Sequence, residues 1–563
     1  MNTARSWLLA LLFVLASAGQ SAGAECPDTG ALFDAFYKDA DIFEQAMAKA
    51  ETIAPATARL SGITVPHHLL ADHLMAQGMK LTAGHRYRRI ILLFPDHFRT
   101  LKQPFGTVRH GFETVLDPVE IDAEPVNALL ARADLGIEEN CALSSDHGLR
   151  SLLPFISQLH SQTPIVPIAV SIRSTRADWE RLAEALQPLM DDETLIVQST
   201  DFSHYLPHHV ARQRDQQTLN ILSSGSLDDL ARLVQPDHLD TLGAMYVHLA
   251  VQSRTKSATP QVLANENMQQ YTDAFVAETT SYMIVGFVPD DGTELKSLPG
   301  NATYYFAGDT FFGRAMTPAL SDADAADRVE AAVREATGGL PMVVNLEGVL
   351  LPDVPSVLDE MVLAMPRDLA LEWFKRMNVA AVGLANNHTS DIGETGLAET
   401  VRTLNENGIP WFGQGGRLDF PGLTVVGLTD IDSNATRKAD LIDADLLDRL
   451  LVEDAETPVL AFVHWGREYL TEPGPRESHL ADEMRRRGVA AIIGAHPHRA
   501  STGIKALGGG DTAMLYSLGN FLFDQRSDKS SGALAKVTVF PQGTIFVRQI
   551  AIPNLFETAG SND

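Results

Sequence analysis

The sequence predicts an α/β protein of two domains, on three observations. Short β-rich apolar runs alternate with longer amphipathic stretches from about residue 40 to residue 555, the pattern of strands and helices packed in layers. A chain of 563 residues is too long for one hydrophobic core. The stretch PDDGTELKSLPGNAT (289–303) is polar, rich in Pro and Gly and without periodicity, as expected of a connection between domains.

In chain order, Arg5 and the apolar run WLLALLFVLASA (7–18) precede Ala22, Gly23 and Ala24. That is the layout of a signal peptide (1–24) cleaved after Ala24, and the run is short for a membrane span. The mature chain is expected to be exported, periplasmic or extracellular, without a transmembrane anchor. A first domain spans 25–290, with strands at RRIILLF (88–94), TPIVPIAVSI (163–172), TLIVQS (194–199) and SYMIVGFV (281–288). After a linker at 291–301, a second domain at 302–555 has strands at TYYFAG (303–308), MVVNL (342–346), VAAVGLA (379–385), LTVVGL (423–428), VLAFV (459–463) and VAAIIG (489–494). Helical patterns such as ADWERLAEALQPLM and GLAETVRTLNENGI lie between them, the second stopped by Gly408 and Pro410.

Forty-four basic against 72 acidic side chains give a net charge of −28, which disfavours binding to a phosphate backbone and excludes a nucleic-acid protein. The two cysteines, Cys26 and Cys141, permit one disulfide in an oxidising compartment or remain as two thiols.

The second domain carries the stronger chemical signal. Five apolar runs lead into Asp309 (GDTFFGR), Glu347 (NLEG), Asn387 and His388 (ANNHTSDIG), His464 (HWGREY), and His496 and His498 (GAHPH). Ligands of open α/β sheets bind beyond the carboxyl ends of strands, where residues distant in sequence meet. Carboxylate, carboxamide and imidazole together suit Mn²⁺, Zn²⁺ or Fe, and a bridging acid permits a two-metal centre that activates water. Arg314, Arg467 and Arg499 stand beside three of these motifs, either to assist with an anionic ligand or as surface ion-pair partners.

With YSLGNFLFD (516–524), these motifs in this order resemble the poly-γ-glutamate capsule-synthesis (CapA) family over about residues 302–555. The resemblance implies a calcineurin-like metallophosphoesterase fold, a β-sandwich flanked by helices. It implies Asp309, Glu347, Asn387, His464, His496 and His498 as metal ligands, Glu347 bridging, and His388 as general acid. Phe311 departs from that pattern, because a histidine normally stands two residues after the first Asp; one metal position is then expected to be weaker or empty.

The first domain repeats the arrangement. ITVPHHLLADH (63–73) supplies His67, His68 and His73; RRIILLFPDHF leads to His97; SSDHGLRSLLPF carries Asp146 and His147; TLIVQSTDFSHYL carries Asp201 and His204. These motifs resemble the Memo-like family (AmmeMemoRadiSam system protein B) over about 55–290, which shares its fold with class III extradiol dioxygenases. The resemblance implies His67 and His97 as metal ligands, with Asp201 and His204 lining the same pocket. The family's cysteine ligand aligns with Leu242 of DTLGA, so this site is expected to use N and O ligands alone or to hold no metal.

Two functions follow as expectations. One is an exported metal-dependent hydrolase of phosphoesterase type in capsule or poly-γ-glutamate biosynthesis, acting on an anionic cell-surface polymer or its precursor. The other is a non-catalytic envelope factor that binds such a polymer during capsule assembly or export.

Overall fold

The computed structural model describes residues 26–28, 30–289, 293–434, 436–451 and 457–560. The expected signal peptide lies outside the described residues, as do Asp291 and Gly292 of the expected linker.

The first half is one mixed nine-stranded sheet. Its strands are β1 (Gly62–Val65), β2 (Arg89–Pro95), β3 (Phe105–Thr107), β4 (Ile137–Glu139), β5 (Ile165–Val170), β6 (Thr194–Ser199), β7 (His204–Leu206), β8 (Pro260–Asn267) and β9 (Thr279–Phe287). They lie in the order β4-β3-β5-β2-β6-β1-β9-β7, with β8 on β9. The central β5, β2, β6 and β1 are parallel, and parallel sheets are covered on both faces. That is why RRIILLF is apolar without alternation. Ile90, Leu92 and Phe94 enter the core beneath α1 (Asp72–Thr82), whereas Ile91 and Leu93 enter the core shared with α2 (Arg176–Leu186), α3 (His208–Ser224) and α4 (Leu242–Lys256). Helix α2 starts at a capping box between Thr175 and Asp178. Cys26 and Cys141 form a disulfide within this half.

The second half is a sandwich of two sheets. One contains β10 (Ala302–Thr310), β11 (Met342–Leu346), β14 (Val379–Gly383), β15 (Trp411–Phe412), β22 (Asn520–Leu522), β23 (Gly532–Val539) and β24 (Ile545–Ile552). The other contains β16 (Arg417–Phe420), β17 (Leu423–Thr429), β18 (Val459–His464), β19 (Val489–Ala495), β20 (Lys505–Leu507) and β21 (Thr512–Leu515). Strands β12 (Val349–Leu351) and β13 (Ala364–Pro366) pair separately. Phe306, Val343, Phe412, Val425, Leu460, Phe462 and Ile493 fill the space between the sheets. Helices α5 (Ala323–Thr337), α6 (Arg367–Arg376) and α7 (Gly393–Glu406) cover the first sheet, and α8 (Pro475–Arg486) covers the second. This half runs on to a terminal helix, Leu555–Gly560, whose Leu555 and Ala559 are buried.

All ten apolar runs and both helical patterns take the expected form. The other strands were unforeseen: the edge strands β4, β7, β15, β16 and β20 have two to four residues, too short to display a period, but β8, β23 and β24 have eight residues each and were missed as well. Leu295 and Leu298 of the connecting stretch are buried against the first core.

The halves are joined by more than this connection. Phe540 and Phe546, beside the turn between β23 and β24, insert into the first half's apolar core. The same turn sends Gln542 Nε2 to Asp215 Oδ2 (2.9 Å) and Thr544 Oγ1 to Asn265 Oδ1 (2.6 Å). From α3, Gln216 exchanges two hydrogen bonds of 2.8 Å with the Ile545 backbone. Phe540→Ala is therefore expected to cost about 3–5 kcal/mol, measured by urea denaturation. A loss below about 1 kcal/mol would show that the two cores are energetically separate.

Candidate metal centres

The second-half site assembles at the carboxyl ends of β10, β11 and β14 from one sheet and β18 and β19 from the other. A register shift in the β10–β11 ladder lies between Ala307 and Asp309; such irregularities re-aim a side chain. The backbone there is pressed so closely against Gly519 that a Cβ on Gly308 would sit 2.0 Å from its carbonyl oxygen.

The HPH turn ending β19 is strained. His496 (φ 94°) and His498 (φ 57°) both occupy the left-handed region, which costs of order 1–3 kcal/mol for each side-chain-bearing residue. Hydrogen bonds hold the turn. The His496 amide lies 3.2 and 3.3 Å from the Asp309 carboxylate oxygens. Pro497 and His498 carbonyls accept from Tyr469 and Ser531 amides at 2.7 and 3.1 Å. The strain directs both imidazoles to the same buried centre.

All six expected ligands meet there. Glu347, His464 and His496 form one group of possible ligands and Asp309, Glu347 and His498 another, with atoms within 4.8 Å in each. Glu347 belongs to both. His464 Nε2 lies 2.7 Å from Asn387 Oδ1, 3.1 Å from His496 Nδ1 and 3.8 Å from Glu347 Oε1. His498 Nδ1 lies 3.3 Å from Asp309 Oδ2. One position thus has four donors, Glu347, Asn387, His464 and His496; the other has three. Phe311 supplies none, being buried against Phe523.

The charges fit divalent cations. Burial, with the nearby Asp309 charge, pushes Glu347 up to about 8. Its Oε2 is buried without a hydrogen-bond partner, a costly state for a carboxyl oxygen unless a proton or cation meets it. Burial lowers His464 well below the usual imidazole range and His496 to about 4, leaving both neutral, as ligands must be. For His498, the Asp309 hydrogen bond and the Glu347 charge outweigh burial and raise it to about 10.

His388 Nδ1 bonds Asp391 Oδ2 at 2.8 Å, and its Nε2 stands 3.9 Å from Glu347 Oε1. Burial lowers its basicity, but Asp391 and Glu347 more than offset this and leave it raised. His388, Glu347 and His498 border a cleft of about 620 Å³, together with Arg314, Tyr469, Arg526 and Lys529. Arg314 is engaged with Asp524 at 2.6 Å. Arg499 bonds the Asp528 and Lys529 carbonyls instead of facing the cleft, and Arg467 is exposed. Sequence reasoning missed three supporting amides. Asn345 donates to Asp309 Oδ1 at 2.9 Å, Asn386 to the Leu346 carbonyl at 2.8 Å, and Asn520 Oδ1 lies 2.7 Å from His498 Nδ1. Their signal was position, each lying in or beside a quoted motif.

In the first half, His67 follows β1, His97 follows β2, and Asp201 and His204 follow β6. His67, His97 and His147 form a three-imidazole group. Asp201 joins them: its Oδ1 accepts the His67 amide at 3.0 Å and its Oδ2 lies 3.5 Å from His67 Nε2. Burial and the Asp240 charge raise Asp201 to about 8. His204 is outside the three-imidazole group, and Asp240 influences it electrostatically. His147 and Asp240 are the residues that the expected set omitted. Leu242, at the cysteine-aligned position, is buried in the apolar core with α4.

With Glu347 and His498 raised to about 8 and about 10, both hold protons near pH 7 when no cation is present. Metal must displace those protons, so affinity is expected to rise with pH, through about pH 8 for Glu347. Calorimetric titration with Mn²⁺ in two buffers of different ionisation enthalpy would read net proton release at pH 7; zero release would contradict these assignments.

Residues 35–282 match the Memo-like protein family, and residues 303–420 and 432–525 match the bacterial capsule synthesis protein PGA_cap family. The PGA biosynthesis protein CapA of Bacillus subtilis (strain 168) is 30% identical over 176 residues, 28% of this chain and 46% of that protein. This chain therefore spans less than half the length of that relative. A MEMO1 family protein of Caldivirga maquilingensis is 25% identical over 202 residues, 35% of this chain and 71% of its own. A solved phosphatase from Mycoplasma pneumoniae covers 46% of this chain and 97% of its own at 13% identity, with a TM-score of 0.30, too loose a superposition to inform the site. The chain joins a Memo-like domain to a bacterial capsule-synthesis PGA_cap domain, with one candidate metal centre in each.

Proposed function

We propose that the PGA_cap domain is an exported metal-dependent hydrolase of phosphoesterase type, serving capsule biosynthesis by acting on an anionic cell-surface polymer or its precursor. The observation that carries this reading is the sharing of Glu347 by two ligand groups, the arrangement a bridged two-metal site requires. Divalent ions there supply Lewis-acid charge and make water more acidic. The four-donor position uses Glu347, Asn387, His464 and His496; the three-donor position uses Asp309, Glu347 and His498. His388, oriented by Asp391, donates a proton from Nε2 to the leaving group. Arg526 and Lys529 share the cleft wall with Glu360, Glu468 and Asp528, so attraction of an anionic substrate would rest on bound cations, which reverse the local sign of charge. The capsule assignment is supported by the domain match and the CapA relative; export is supported by the leader-like first 24 residues.

One observation favours a second reading, a binding factor without catalysis: Phe311 leaves one position a donor short. Elemental analysis and hydrolysis of bis(p-nitrophenyl) phosphate separate the two. For the hydrolase, Glu347→Ala is expected to hold about two fewer metal ions per chain than the wild type. His388→Asn is expected to retain its metal while kcat falls about 10²–10⁴-fold. Metal without turnover of any phosphoester supports the binding factor. No metal after reconstitution with Mn²⁺, Zn²⁺ and Fe²⁺ overturns the hydrolase.

A further inference from the structure

We propose that Arg314 binds an anionic oxygen of the substrate's phosphoryl group, and that Phe311, which supplies no donor to the three-donor position, is instead the platform for its guanidinium. The inference rests on the phosphoester reading of this cleft. Arg314 lines the same cleft as Glu347, His388 and His498. Its guanidinium carbon lies 5.0 Å from the centre of the Phe311 ring and 5.5 Å from that of Phe523. Both distances fall within the range of a cation–π contact. The two rings pack on each other at 5.5 Å, and Phe523 in turn lies 5.1 Å from the His498 imidazole. The cation is thus fixed one ring away from a candidate metal ligand.

The backbone is committed to this placement. Arg314 has φ 47°, in the left-handed region, a conformation that persists only where the surroundings over-determine it. The residue before it has no room for a side chain: a Cβ on Gly313 would sit 2.3 Å from Phe311 Cζ and 2.5 Å from the Ala364 carbonyl oxygen. The turn is folded onto the Phe311 ring, and the arginine emerges over it. Arg314 Nη2 then donates to Asp524 Oδ1 at 2.6 Å and Nη1 to the Glu360 carbonyl at 3.2 Å. Those two bonds leave donors of the five-donor guanidinium for a ligand, and the side chain remains 36% exposed. The wall as a whole is not basic, so the arginine acts through position rather than through a long-range field. A planar fork backed by two rings and steadied by a carboxylate holds a phosphoryl oxygen in one orientation, which an ammonium cannot do.

Inorganic phosphate is the probe, measured by equilibrium dialysis of the full chain in Mn²⁺, with metal content and circular dichroism recorded for each variant. Saturable binding is expected in the wild type and binding at least about tenfold weaker in Arg314→Ala, with metal content unchanged. Arg314→Lys is expected to recover only part of the loss, and it carries the test if Arg314→Ala does not fold. Phe311→Leu, which removes one ring, is expected to weaken phosphate about threefold. Asp524→Asn separates a ligand-binding arginine from a merely structural ion pair. It removes a negative charge and keeps an acceptor oxygen for Nη2, so phosphate is expected to bind at least as tightly as in the wild type. The absence of saturable binding in the wild type overturns the proposal, as does unchanged affinity in Arg314→Ala or equal weakening in Asp524→Asn. Unchanged affinity in Phe311→Leu overturns the part given to the ring. Failure of the hydrolase reading is distinguishable from these results: phosphate held through Arg314 by a chain that turns over no phosphoester leaves this proposal standing.

Discussion

Glu347 is a carboxylate removed from water at the end of a buried strand, and the PGA_cap domain is arranged around that constraint. A charge in such a place is costly unless an opposite charge or a proton meets it. Asp309 makes the position harder by adding a second buried carboxylate. The surrounding imidazoles and amides are what a cation pair would need and are a poor substitute for it, because two of the imidazoles are themselves held neutral by burial. Rigidity follows from the same need. Donors must converge within a few ångströms, and they do so because each hangs from the end of a strand locked into one of two packed sheets. The left-handed histidines of the HPH turn carry the local strain of that convergence.

The Memo-like domain reaches a related solution on a different sheet. Its imidazoles gather beyond the ends of parallel strands, with Asp146 and Ser199 behind them as orienting partners. Buried carboxylates again face the centre, and Asp201 is again raised by burial and a like charge. A centre of this composition does not depend on sulfur, and the only two cysteines of the chain are joined in a disulfide.

The turn between β23 and β24 connects the two arrangements mechanically. Strand β23 pairs with β10, which carries Asp309. The turn beyond it buries Phe540 and Phe546 in the other domain and bonds Asp215. Asp215 in turn accepts from Ser203, which lies between Asp201 and His204 in sequence. One continuous path of packed strand and hydrogen bonds therefore runs from one centre to the vicinity of the other.

Much of the fold and of the PGA_cap site was legible in the sequence, because both are written locally. Apolar runs of five or more residues mark strands buried on both faces, and the polar residue ending each run marks the sheet's functional edge. Asp309, Glu347, His464, His496 and His498 could be named on that ground alone. The supporting amides Asn345, Asn386 and Asn520 could not, since an asparagine at a strand end reads equally as turn chemistry. Asp240 was hidden for a similar reason: before a helix, an aspartate looks like a cap. The sequence by itself determined the long apolar strands and the helices it singled out, and which side chains stand at their ends, because strand and helix periodicity depends on near neighbours. Only the tertiary structure decided that Glu347 belongs to two ligand groups, that Asp240 faces His67 and His97, and that the turn at residue 542 enters the other domain. Those facts depend on strand order and register across hundreds of residues, which no local pattern encodes.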